Sequence, residues 1–166
     1  HYEEPPAAAQ RAILEEHLAL IESCRAEGID KPVVIHCREA FDDLLPVLDA
    51  TRIDPGRFVF HCFNSGPEEA RRVLDFGAWI SFTGIVTFRN APKVAEAAKL
   101  VPEDRIMIET DSPFLTPEPV RKIFPNEPQY LVHTARFLAE LRGVGCEEFA
   151  TVLDANAERF FGISAP

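Results

Sequence analysis

The chain has 166 residues, 46% of them apolar and 27% charged, which suits one ordinary domain with a buried core and excludes a disordered chain. Its formal net charge of −10 excludes a protein that grips nucleic acid mainly through a broad basic face, although metal ions would add positive charge that this count omits. No apolar run reaches the roughly 18 residues of a membrane span, and four cysteines without CxxC spacing (Cys24, Cys37, Cys62, Cys146) point to a reducing, cytoplasmic setting.

Residues 5–28 are rich in helix formers, and Ile13, Leu14, Leu18, Leu20 and Ile21 predict an apolar stripe along a long first helix. PVVIHC (32–37) is continuously apolar up to its histidine, which predicts a strand buried on both faces. A short helix follows over 39–48. The pattern then repeats: RFVFHC (57–62), a helix over 67–76, AWISFTG (78–84), a helix over 92–100, and RIMIETD (105–111). Strand and helix alternate, which predicts an α/β fold with a parallel sheet. Five prolines between Pro113 and Pro128 predict a stiff loop without regular structure. Helices over 129–142 and 146–161 close the chain, with Gly143 and Gly162 as their stops. The whole chain, 1–166, reads as a single domain.

Three predicted strands end in polar residues: His36, His61 and Asp111. In a parallel α/β fold the C-terminal strand ends converge on one rim, and two imidazoles with a carboxylate suit a divalent metal there. Each taken alone has a plainer reading. A histidine at a strand end is readily a hydrogen-bonded core residue, and Asp111, beside Thr110, Ser112 and Pro113, is readily a turn cap. Their equivalent positions favour the ligand reading. By strand alternation Cys37 and Cys62 face the helices as core packing, Arg38 shares the face of His36, and Glu109 that of Asp111. Glu109 then either accepts a hydrogen bond from a metal-holding side chain or pairs with an arginine. Arg38 either clamps a substrate phosphate or pairs with Glu109. The turn Asn64-Ser65-Gly66 either is an ordinary connection or holds an anion at the next helix N-terminus. His1, His17 and His133 fall in a loop and in helices and carry no role.

The motifs PVVIHCREA, FHCFNSG, WISFTGIVTFRN, IMIETDSPFLTP, NEPQY and NAERFFGI, in this order, resemble the TatD group of metal-dependent deoxyribonucleases. The opening HYEEP resembles the segment after that family's fourth strand. The resemblance implies a TIM-like (β/α) barrel of the amidohydrolase type, with this chain as its C-terminal portion, strands 5 to 8, and the N-terminal half missing. A full barrel of this kind needs about 250 residues. It also implies that His36, His61 and Asp111 are metal ligands, from the family's fifth, sixth and eighth strands. The family's H-x-H pair and its fourth-strand glutamate have no counterpart in these 166 residues. VRKIFPNEP departs from the family's basic run before N-E-P, leaving Arg121 or Lys122 for any phosphate contact by that loop.

The same resemblance implies two divalent metal ions, with zinc, manganese and magnesium all compatible, and DNA as the substrate. The expected reaction is 3′-to-5′ hydrolysis of single strands, with Asp111 as the catalytic proton acceptor. Phe114, on the proline-rich loop, either stacks on an unpaired base or packs into the loop's own core. Two rival readings stand beside this one. The first is an ester hydrolase of the D-aminoacyl-tRNA deacylase type. The second is a non-catalytic piece, because an open half barrel leaves sheet edges unpaired and supplies too few ligands for two metals.

Overall fold

The structure, a computed structural model, describes residues 6–164; His1 and the HYEEP segment lie outside them. In chain order the elements are α1 (Ala7–Ala26), β1 (Val33–His36), α2 (Phe41–Asp49), β2 (Phe58–His61), α3 (Pro67–Phe76), β3 (Trp79–Phe82), α4 (Pro92–Leu100), β4 (Ile106–Ile108), α5 (Leu131–Arg142) and α6 (Cys146–Phe161). All strand pairs are parallel and their order is β1-β2-β3-β4. The alternation read from the sequence is therefore an α/β sheet with helical crossovers. Pro67 and Pro92 start α3 and α4 at the position where a missing N–H costs nothing. Gly143 and Gly162 end α5 and α6 in the left-handed conformation, as expected.

One face of the sheet carries Ile35, Phe58, Phe60, Ile80, Phe82 and Ile106, all buried in the main core under the helices. Phe41 of α2 stacks on Phe60 at 6.0 Å and meets Phe63 edge-on at 6.1 Å, and Phe63 meets Phe82 at 5.9 Å. Each such ring is worth about 1.5–3 kcal/mol in burial alone, so this run of rings fixes the chain just past the end of β2. The opposite face presents Val59, Trp79 and Met107, covered by Phe160 of α6. Arg105 and Arg159 flank the Trp79 ring at 5.3 and 4.7 Å. Asn156 donates to the carbonyls of Glu103 and Ile106, so the closing NAERFF stretch ties α6 to the start of β4.

Two expectations are corrected. β1 is not buried on both faces: Val34 is 54% exposed, because among the described residues β1 is a sheet edge flanked only by β2. The α1 stripe is narrower than predicted, with Leu18 buried and Leu14 and Ile21 packed against the core. Ile13 and Leu20 face out.

The proline-rich segment has no regular structure up to a short 3₁₀ turn at Pro128–Tyr130. Internal bonds hold it: Thr116 Oγ1 donates to the Ile123 carbonyl at 2.8 Å, and the Glu118 N–H donates to Thr87 Oγ1 at 2.9 Å. Among the described residues no helix is long and apolar enough to cross a membrane.

Candidate metal centre

Parallel pairing puts His36 of β1 directly beside His61 of β2, and equal parity turns both side chains to the same face. His36 Nδ1 lies 3.1 Å from His61 Nε2. On its other side, His61 Nδ1 lies 3.3 Å from Glu109 Oε1, just past β4. β3, between them, presents the small Ser81 on this side, which leaves room for the Glu109 carboxylate to reach across. The Glu109 N–H in turn donates to the Phe82 carbonyl at 3.0 Å, extending the pairing of β3 and β4 to the rim.

A neutral imidazole carries one proton. With that proton on His61 Nδ1, the nitrogen beside the Glu109 carboxylate, Nε2 turns a lone pair toward His36. Glu109 Oε1 also accepts the Cys62 N–H at 2.5 Å, which holds the carboxylate in place. Carboxylate, imidazole and open nitrogen in series form the arrangement that orients metal-bound histidines.

Asp111 lies beyond β4, partly exposed, with its carboxylate beside the Cys62 thiol. Among the described residues no group of three His, Cys, Asp or Glu side chains is gathered in metal-holding geometry, so the tight unit is the His36–His61 pair backed by Glu109. Among the described residues, three of the four non-glycine positions with positive φ sit on this rim: Glu39 (55°), Cys62 (48°) and Asp111 (55°). Such conformations cost about 1–3 kcal/mol each and gather where function over-determines the backbone.

The TatD related DNase family profile matches residues 1–162. The chain belongs to the TatD family. The metal-dependent hydrolase YabD of Bacillus subtilis (strain 168) is 37% identical over 164 residues, 99% of this chain and 62% of the relative. YcfH of Escherichia coli (strain K12), also named a metal-dependent hydrolase, is 44% identical over 137 residues, 82% of this chain and 51% of the relative. The crystal structure of YJJV, a TatD homolog from Escherichia coli K12, superposes with a TM-score of 0.82 at 26% identity. It covers 99% of this chain and 61% of that one. The chain thus spans about half to three fifths of the length of these relatives, and its sheet is similar to part of a TatD-type barrel.

The residues present fit the divalent metal that this family of hydrolases uses. His36 Nδ1 and His61 Nε2 face one another 3.1 Å apart on the rim, and these imidazole nitrogens, a donor type such a metal takes, are the groups that would hold it.

The rim also bears on alternatives that the sequence leaves open. Glu109 partners His61 and the Cys62 backbone, not an arginine. Arg38 is exposed and forms no ion pair with Glu109. The anion seat after Asn64-Ser65-Gly66 is taken by the protein itself, since Glu69 Oε2 accepts the Gly66 N–H at 3.1 Å. Arg121 lies over the Phe88 ring at 3.7 Å and 3.8 Å from Glu118, which occupies the side chain reserved for phosphate. Phe114 is 62% exposed, so it does not pack into its own loop.

Cys62 is the clearest correction. The strand ends at His61, the next residue turns left-handed, and the thiol meets Thr83 Oγ1 at 3.7 Å rather than simply filling the core. This thiol is raised to about 11, by burial first, with the Thr83 contact pulling it down and the Asp111 and Glu109 carboxylates adding to the rise. At pH 8 only about one Cys62 in a thousand is then a thiolate. Iodoacetamide at pH 8 is expected to label the exposed Cys146 and spare Cys62, with Cys62 labelling rising as pH climbs toward 11. Peptide mass mapping that finds Cys62 modified as fast as Cys146 would contradict this. Burial likewise raises Cys37, which packs against the core as expected.

Thr83 and Asn126 were not singled out from the sequence. WISFTG and NEPQY contain them, but the partners that reveal them are distant in the chain.

Proposed function

We propose that the chain supplies the histidine side of a TatD-type phosphodiesterase site that hydrolyses DNA, acting from the 3′ end of single strands. The observation that carries this reading is the His36–His61 pair, with Glu109 holding the far nitrogen of His61. A divalent cation supplies Lewis-acid polarisation of a phosphoryl oxygen and a water acidic enough to attack it at neutral pH. His36 Nδ1 and His61 Nε2 hold that cation. Glu109 keeps the proton on His61 Nδ1, so that Nε2 is the free nitrogen. Asp111 would lend its carboxylate as a further metal ligand and would take up the proton of the attacking water. The exposed Arg38, two residues past the end of β1, is the side chain available to contact a phosphate oxygen.

The sequence contains no H-x-H, so a second metal and turnover belong, in this reading, to a barrel in which such a pair and a further glutamate stand beside this chain. The 166 residues alone bind one cation weakly and turn over no substrate. Phe114 is the contact for an unpaired terminal base; stacking of this kind contributes about 1–3 kcal/mol per base. In a protein completed by a relative's segment that carries H-x-H, Phe114→Ala is expected to raise KM for single-stranded DNA about 5- to 100-fold with kcat and melting temperature little changed.

The test joins the chain to a relative's segment that carries H-x-H and supplies 3′-labelled single-stranded DNA or D-tyrosyl-tRNA with Mn²⁺ or Mg²⁺. Release of labelled mononucleotides that needs His36 and His61 supports the proposal. Hydrolysis of the tRNA ester alone would reassign the substrate, and hydrolysis of neither would sink the reading.

A further inference from the structure

Asp111 stands in the left-handed conformation with φ 55°, uncommon for any residue but glycine though better tolerated by aspartate than by most. One distant side chain grips the backbone on both sides of it. Asn126, 3% exposed, donates from Nδ2 to the Thr110 carbonyl at 2.9 Å and to the Phe114 carbonyl at 2.6 Å. Its own backbone N–H donates to the Pro113 carbonyl at 2.9 Å, and the Phe114 N–H closes the turn on the Asp111 carbonyl at 3.0 Å. Three carbonyls on both sides of Asp111 are thus gripped by a single residue. The amide can face them in one way only, because Oδ1 in place of Nδ2 would set an oxygen against two oxygens. Oδ1 is left buried without a partner among the described residues, so the side chain serves here as a double donor.

We infer that Asn126 is a positioning residue: it clasps the carbonyls of Thr110 and Phe114 and so sets the backbone from which the Asp111 carboxylate reaches the metal. The inference rests on the proposed ligand role of Asp111. Asn126→Asp keeps the shape and removes both donors. It is expected to shift the Asp111 backbone ¹⁵N and ¹³C resonances and to speed hydrogen exchange of the Phe114 amide about 10-fold or more. It is also expected to lower Co²⁺ affinity, read by optical titration of the 166-residue chain, by about 10- to 100-fold, as loss of a ligand's support does.

Repeating the change in an Asp111→Asn background separates positioning from general damage. A residue acting through Asp111 has less than about a 2-fold further effect there, whereas general destabilisation carries over in full. An equal loss in both backgrounds overturns the inference, as do unchanged Asp111 resonances. If Asp111→Asn alone leaves Co²⁺ affinity unchanged, the ligand role of Asp111 fails and the reach to the metal fails with it. The backbone clasp is then decided by the resonance and exchange data, which need no metal. Should Asn126→Asp lose its cooperative melt, Asn126→Gln is read by the same measurements, because it keeps both donors but moves them one methylene out.

Discussion

Replacing His61 with alanine is expected to remove Co²⁺ binding from the chain, a loss of more than about 100-fold, while the melting transition stays cooperative. His61 is the middle of the unit, facing His36 at 3.1 Å and Glu109 at 3.3 Å. Its removal takes away one nitrogen and also the partner that holds the second in place. Loss of a side chain that merely supports a ligand already costs about 10- to 100-fold in metal affinity, so loss of the ligand itself lies beyond that range. Glu109→Ala falls inside it, because His61 keeps its nitrogen but loses the acceptor that fixes its proton. Optical titration with Co²⁺ ranks the three proteins. The metal-centre reading fails if His61→Ala binds as the parent does, or if Glu109→Ala is the more damaging change.

Much of this site is legible in the sequence because strand geometry is so regular. Two histidines ending two neighbouring parallel strands must lie side by side, and period-2 alternation turns them to one face, so the His36–His61 pair follows from spacing. Glu109 shares that face by the same parity. What remained open was its partner, and the answer depends on the small Ser81 between β2 and β4, a packing detail with no local signal.

Parity misled at Cys62, because alternation holds only while the backbone is extended. The strand stops at His61, and φ of 48° at the next residue swings the thiol toward Thr83 and the carboxylates. The apolar positions of α1 misled in another way. A 3.6-residue period marks which residues share a face but not how wide a face the neighbours will cover, so Ile13 and Leu20 were counted and stay exposed. The hold of Asn126 on the carbonyls around Asp111 spans 12 to 16 residues of proline-rich chain, and no periodicity runs through such a segment.

Gly84→Ala is expected to be the most damaging single-methyl change in the chain. Gly84 follows β3 in a short 3₁₀ turn, and the proline-rich loop lies directly on it. A Cβ there would stand 2.1 Å from the Leu115 carbonyl oxygen, 2.9 Å from the Pro117 nitrogen and 3.0 Å from the Pro117 Cα. All three atoms are backbone, so no side chain can swing aside and the loop itself must lift. Lifting it strains the Glu118 N–H bond to Thr87 and pulls on the turn that carries Asp111. Forcing extra volume into a packed contact costs about 1–3 kcal/mol, and a backbone collision this close belongs at or above the top of that range. For a domain of this size that lowers Tm by roughly 6–12 °C. Gly143→Ala is the control: its φ of +70° is strained for alanine, but nothing lies within 4 Å of the added methyl. Its cost is conformational only, about 1–2 kcal/mol, with no effect on metal affinity. The two variants therefore separate in calorimetry and again in Co²⁺ titration, where only Gly84→Ala weakens binding. Equal Tm values for the two would mean that the close seat of the loop on Gly84 is not what holds the Asp111 segment against the sheet.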